Sequence, residues 1–232
     1  MEGTVQERCE RGMAELRAKA KPENLAGMAR YGIVTETALG LSIPDLRLVA
    51  RGLRGDHELA LALWQTGVHD ARILAGFTDD PGRVSEEQME AWVAQFDSWD
   101  VCDQVCSSLF DRTAFAWVKA VEWAARDEEF VKRAGFVLMA ALAVHDTGAP
   151  DESYVALLPL IAREAGDERN FVKKAVNWAL RQIGKRNNAL NAAAVAAAQG
   201  IELQGSRSAR WIARDALREL TSDKVRARLC GK

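Results

Sequence analysis

The segment Glu129-Phe130-Val131-Lys132-Arg133-Ala134 returns 41 residues later as Asn170-Phe171-Val172-Lys173-Lys174-Ala175. Fainter echoes are His69-Asp70-Ala71-Arg72-Ile73-Leu74 and Ser208-Ala209-Arg210-Trp211-Ile212-Ala213. A helical repeat near this length constrains a chain strongly. One helix pair cannot bury its apolar side alone and must stack on the next copy. The rest of the sequence agrees, with apolar residues three and four apart, Ala, Leu, Glu and Arg in abundance, and no convincing period-two segment. Helices are expected over 4–19, 44–53, 57–65, 68–77, 85–95, 99–109, 114–125, 129–144, 151–165, 170–185, 189–199, 207–220 and 222–229. Ser85 with Gln88 reads as a capping box, Asp151 as an N-cap, and Pro159 predicts a kink or break in its helix. The expected fold is all-α: one domain over 1–232, a HEAT-like solenoid whose stacked pairs curve into an α-α superhelix.

Composition bounds the partner. The chain has 232 residues, 48% hydrophobic and 28% charged, which is a globular composition. No apolar run approaches the roughly 20 residues of a spanning helix. The first eight residues lack the apolar core of a secretory signal. The expectation is a cytoplasmic protein with no membrane partner. Four cysteines do not make a disulfide framework. A net charge of −2 hides an uneven distribution. From residue 169 to 232, fourteen Lys and Arg face four acids, a net +10, whereas 75–103 carries −7. Such asymmetry points to a polyanionic partner. Basic residues repeated at helix starts, Lys132/Arg133, Lys173/Lys174 and Arg210, are expected to line a concave DNA-binding face, with Lys185 and Arg214 in the same basic set.

Familiar catalytic motifs are absent. There is no glycine-rich phosphate loop, no Gly-x-Ser-x-Gly elbow and no His-Glu-x-x-His. His57, His69 and His145 are far apart in sequence. Cys102 and Cys106 stand four apart with no second pair, so they read as small buried side chains, and no metal or cofactor is expected. Trp99 and Asp103 are different. At i and i+4 they share a helix face, and a carboxylate beside an indole calls for a polar or cationic visitor, or for a salt bridge to Arg112 or Arg133. Asp100, in the first turn, complements the helix dipole. Trp178 lies between Lys174 and Arg181 and reads either as core or, with Arg210-Trp211, as part of a nucleic-acid groove. Trp64, Trp92, Trp117 and Trp123 read as packing residues.

Taken in order, these pieces resemble a known family. Met28-Ala29-Arg30-Tyr31, Leu39-Gly40-Leu41-Ser42-Ile43-Pro44, Leu63-Trp64 and His69-Asp70-Ala71-Arg72 are followed by Ser98-Trp99-Asp100-Val101-Cys102-Asp103, Lys132-Arg133-Ala134 and the stretch from Phe171 to Arg181. In this spacing the chain resembles the AlkD-like DNA alkylation repair proteins, HEAT-like DNA glycosylases. The resemblance implies that Asp103 is the catalytic carboxylate and that Trp99 and Trp178 flank the lesion's deoxyribose. It implies cleft or DNA-backbone contacts for Arg133, Tyr31 and Arg181. It also implies excision of N3- and N7-alkylated purines from duplex DNA without flipping the lesion into a pocket, by a monomer.

The chemistry fits the residues. A cationic alkylpurine leaves without a protonated acid, so one carboxylate suffices where ordinary glycoside hydrolysis needs two. Two alternatives remain: a non-catalytic module that holds damaged DNA or structured RNA, and a protein–protein scaffold.

Overall fold

The computed structural model describes residues 3–230. Among the described residues there are helices and connecting segments and no strand. The chain divides into two compact units, Met1–Ala114 and Phe115–Lys232.

The first unit holds α1 (Val5–Ala18), α2 (Leu25–Arg30), α3 (Ile43–Ala50), α4 (His57–Gln65), α5 (His69–Thr78), α6 (Glu86–Val93) and α7 (Trp99–Ser108). Local chemistry sets the starts. Thr4 and Glu7 form a reciprocal capping box on α1, and Ser42 and Asp45 do the same on α3. The Asp56 carboxylate accepts from the Leu59 amide to open α4. At α6 the expected box is half formed: Ser85 Oγ accepts from the Gln88 amide, but the Gln88 side chain donates to Asp79 Oδ2 at 2.7 Å instead of turning back. The core gathers Leu16, Leu46, Leu59 and Leu63 around Trp64, which stacks on Trp92 with ring centroids 4.0 Å apart. Burying these side chains supplies most of the driving force for folding, about 1.5–3 kcal/mol for each large apolar group.

The second unit holds α8 (Ala116–Ala124), α9 (Glu129–His145), α10 (Asp151–Val155), α11 (Leu158–Glu164), α12 (Asn170–Gly184), α13 (Asn188–Glu202), α14 (Arg207–Leu220) and α15 (Asp223–Cys230). The sequence repeat is physical: α9 and α12 begin at Glu129 and Asn170, pack on each other, and stack Phe130 on Phe171 at 5.6 Å. Successive repeats also brace one another's helix starts. The Arg169 guanidinium donates to the Asp127 carbonyl at 2.5 Å, and the Ser208 amide donates to the Glu168 carboxylate at 2.9 Å. α9 is apolar nearly all round and buried accordingly, whereas α12 and α14 keep a polar side. Gly135 lets the α8 and α9 backbones meet, since a Cβ there would lie 2.3 Å from the Ala124 amide nitrogen. The break expected at Pro159 is present: α10 ends at Val155 and α11 restarts at Leu158 with Pro159 in its first turn. Asp151 is not an N-cap. It is the first helical residue, and its carboxylate accepts from Asn187 Nδ2 at 2.9 Å. No described helix is long and apolar enough to cross a membrane.

Candidate functional site

In the first unit the start of α7 is fastened to the segment that follows α2. The Trp99 indole N–H donates to the Tyr31 carbonyl at 3.0 Å, and the Val34 amide donates to Ser98 Oγ at 2.8 Å. Ser98 is the N-cap of α7, but its hydroxyl serves this long-range bond and not its own helix. The segment is held again farther along. Asp70 is 1% exposed, and its two oxygens accept from the Leu39 and Leu41 amides at 2.6 and 2.9 Å. Between those amides Gly40 takes a positive φ of +83°, and a Cβ there would lie 2.3 Å from the Lys21 carbonyl oxygen.

The outcome is a half-buried Trp99 ring beside a largely exposed Tyr31. They border an open pocket of about 410 Å³, lined also by Ile33, Leu41, His69, Asp100 and Gln104. Asp103 is half-buried one helical turn beyond Trp99, on the same face, and its backbone carbonyl accepts from Ser107 Oγ at 2.6 Å. Tyr31, Trp99 and Asp103 thus share one region of the fold.

Asp100 does more than complement a dipole. Its Oδ2 meets His69 Nε2 at 2.9 Å, with both residues buried. Burial opposes a charged imidazole, but the hydrogen bond and charge of Asp100, then Asp70 and Asp97, outweigh it and raise the His69 pKa. Sequence reasoning missed His69 as a partner. The only signal was its place in the His69-Asp70-Ala71-Arg72 echo at the start of a helix. Cys102 and Cys106 are fully buried, as expected, and burial pushes the Cys106 thiol well above its ordinary value.

In the second unit the basic residues part company. Lys132 is 7% exposed and its ammonium sits 2.7 Å from Glu164, so it does not belong to a surface stripe. Arg133 is also buried, and its guanidinium donates to the Phe171 carbonyl at 2.5 Å. Lys173 lies over the Trp211 ring, 5.4 Å from its centroid, while Lys174 is exposed. Trp178 is half-buried on α12. Arg181 and Lys185, expected as DNA contacts, share the Glu219 carboxylate at 2.6 and 2.9 Å. The cause is the repeat itself. α14 sets Asp215 and Glu219 about 38 residues after Asn177 and Arg181, and Asn177 Nδ2 donates to Asp215 Oδ2 at 2.7 Å. Burial raises the Glu219 pKa, but Lys185 and Arg181 outweigh it and hold the carboxyl below its ordinary value. Arg210 and Arg214 are exposed. The first donates to the Gly205 carbonyl at 2.5 Å, and the second lies 3.4 Å from Glu202.

A helical repeat protein with a tryptophan–carboxylate face in one unit and a basic helical surface in the other has the makings of a nucleic-acid protein. The family model described as DNA alkylation repair enzyme matches residues 13–220, and the chain belongs to that family. It is 25% identical over 191 residues to the uncharacterized protein Lin0241 of Listeria innocua, covering 81% of this chain and 83% of that one. Over the same length and shares it is 24% identical to the uncharacterized protein Lmo0209 of Listeria monocytogenes. Among solved structures it matches a member of a family "related to the HEAT-like repeat DNA glycosylases with affinity for branched DNA structures". That match has a TM-score of 0.78 and 21% identity over 94% of each chain. The fold is that of the HEAT-like repeat DNA glycosylases.

Proposed function

We propose that the chain is a monofunctional DNA glycosylase that hydrolyses the N-glycosidic bond of cationic N3- and N7-alkylated purines in duplex DNA, without flipping the lesion into a pocket. The observation that carries this reading is the Trp99–Tyr31 hydrogen bond one turn ahead of Asp103, in a chain of the DNA alkylation repair family. It joins Trp99 to the Tyr31 backbone, and Asp103 follows Trp99 on the same helix face; the family resemblance gives roles to all three.

The alkylated purine already bears positive charge, so its departure with the bonding electrons needs no general acid. The deoxyribose becomes oxocarbenium-like as the bond breaks. The Asp103 carboxylate stabilises that charge, orients a water toward C1′ and takes its proton. The family resemblance gives Trp99 and Trp178 the sugar-flanking role, and an indole face attracts a cation by about 0.5–2 kcal/mol. Tyr31, Lys173, Lys174, Arg210 and Arg214 contribute contacts along the DNA, with Arg181 and Lys185 joining when Glu219 yields them, while Arg133, buried against the Phe171 carbonyl, positions the start of α12 rather than touching the DNA backbone. The electrostatic share of these contacts weakens with salt. The reading is of a monomer acting in the cytoplasm and calling on no cofactor.

The test is base release from methylated duplex DNA. The purified chain liberates 7-methylguanine or 3-methyladenine, and intact glycosidic bonds after prolonged incubation with excess protein overturn the proposal. A second reading has its own support, because the solved relative is described by affinity for branched DNA and not by catalysis. It is a non-catalytic DNA-binding module, and it gives salt-dependent binding with no base released.

A further inference from the structure

The solvent-exposed face of α14 carries a row of arginines. Arg207, Arg210, Arg214 and Arg218 are all exposed and follow one face of the helix over roughly 16 Å. The opposite face, with Ala209, Ile212, Ala213 and Ala216, is fully buried, so the helix cannot turn these arginines elsewhere. In their midst stands Trp211, 41% exposed, in an open pocket of about 310 Å³ lined by the four arginines and by Asp215, whose carboxylate pairs with Arg218 and leaves Arg207, Arg210 and Arg214 as the cations nearest a phosphate. Among the described residues its indole N–H meets no acceptor. Its one ring partner is the Lys173 ammonium, 5.4 Å from the centroid. A large flat side chain thus keeps 41% of its surface in water, among cations, on the side of the helix away from the buried face.

The charge excludes a cationic or strongly apolar partner and calls for a polyanion. The ring narrows the choice. Against a duplex, an indole on the protein surface meets sugars, phosphates or base edges, because the base faces are stacked on one another. Single strands expose those faces, and an aromatic platform flanked by phosphate-binding arginines is how they are held without regard to sequence. We propose that the α14 face is a single-stranded DNA site, with a base stacked on Trp211 and the flanking phosphates on the arginines. This site does not depend on glycosidic-bond cleavage. It gives the chain a second mode of DNA contact, suited to unpaired segments.

The test compares binding of fluorescently labelled oligothymidine, oligodeoxyadenosine and a mixed-sequence duplex to the full chain and its variants over a common series of salt concentrations. Trp211→Ala weakens binding of both single strands about tenfold and moves duplex affinity less than about twofold, while Trp211→Phe keeps most of the single-strand affinity. The paired Arg210→Ala, Arg214→Ala variant weakens single-strand binding and flattens its salt dependence. Circular dichroism and melting establish that the variants fold. No single-strand binding by the wild-type chain, or equal effects of Trp211→Ala on single strands and duplex, overturns the proposal. Base release from methylated duplex is followed in parallel and is unchanged in Trp211→Ala. A chain that binds single strands through Trp211 but releases no base keeps this site and rejects the glycosylase reading.

Discussion

The Trp99 indole N–H reaches 68 residues back along the chain to donate to the Tyr31 carbonyl at 3.0 Å. The bond fixes the indole plane at the start of α7 and fastens there the segment that carries Tyr31. Trp99→Phe keeps a ring and deletes the donor. It is expected to cost about 1 kcal/mol of stability and to lower base release beyond what the milder fold explains. Thermal melting and single-turnover release check both effects, and wild-type behaviour in both contradicts the role given to the bond.

His69 and Asp100 supply a pH signature. The folded state raises the His69 pKa, so it favours the imidazolium more than the unfolded chain does. The stabilisation is fully present below the unfolded value of about 6.5 and is lost as pH rises through the higher folded value. The melting-temperature gap between wild type and His69→Gln therefore narrows as pH rises across that window. Parallel melting curves contradict the pairing.

Gly135 marks the closest backbone approach of α8 and α9. A methyl group there meets Ala124 N at 2.3 Å, Ala124 Cα at 2.8 Å and the Ala120 carbonyl oxygen at 2.9 Å. All three are main-chain atoms that cannot swing aside. Gly135→Ala is expected to destabilise the protein by roughly 1–3 kcal/mol despite alanine's better helix propensity. Chemical denaturation measures it, and a stabilised variant contradicts the packing.

Lys174 and Arg181 lie on the same helix but in different electrostatic states. Lys174 is exposed, whereas Arg181 is held by Glu219 at 2.6 Å and by Asp215 at 3.6 Å. Lys174→Ala is expected to reduce the salt dependence of duplex binding by about one counterion with little change in melting. Arg181→Ala lowers the melting temperature as well, because it strips Glu219 and Asp215 of a shared partner. Salt titrations of both variants distinguish the cases, and identical profiles in binding and melting contradict the difference.

The helices were legible where local signals are strong. The 41-residue echo found α9 and α12, and Pro159 located the break between α10 and α11. α2 was not foreseen, because it is only six residues long, Leu25 and Met28 are its only large apolar side chains, and none of its residues is buried. Helical spacing also put Trp99 and Asp103 on one face. It had no means of pairing His69 with Asp100 from 31 residues away, or Lys132 with Glu164 from 32. Those partners come from neighbouring helices, and helix-to-helix packing, not local spacing, decides whether a lysine at a helix start faces water or a carboxylate. The same blindness hid Glu219, the shared partner of Arg181 and Lys185.

The most direct test of the account is the rate of 7-methylguanine release from methylated duplex DNA by wild type and Asp103→Asn, with melting temperature and duplex affinity measured on the same preparations. The account predicts a loss of about 100-fold or more in release with both controls unchanged. Release by Asp103→Asn at the wild-type rate contradicts it.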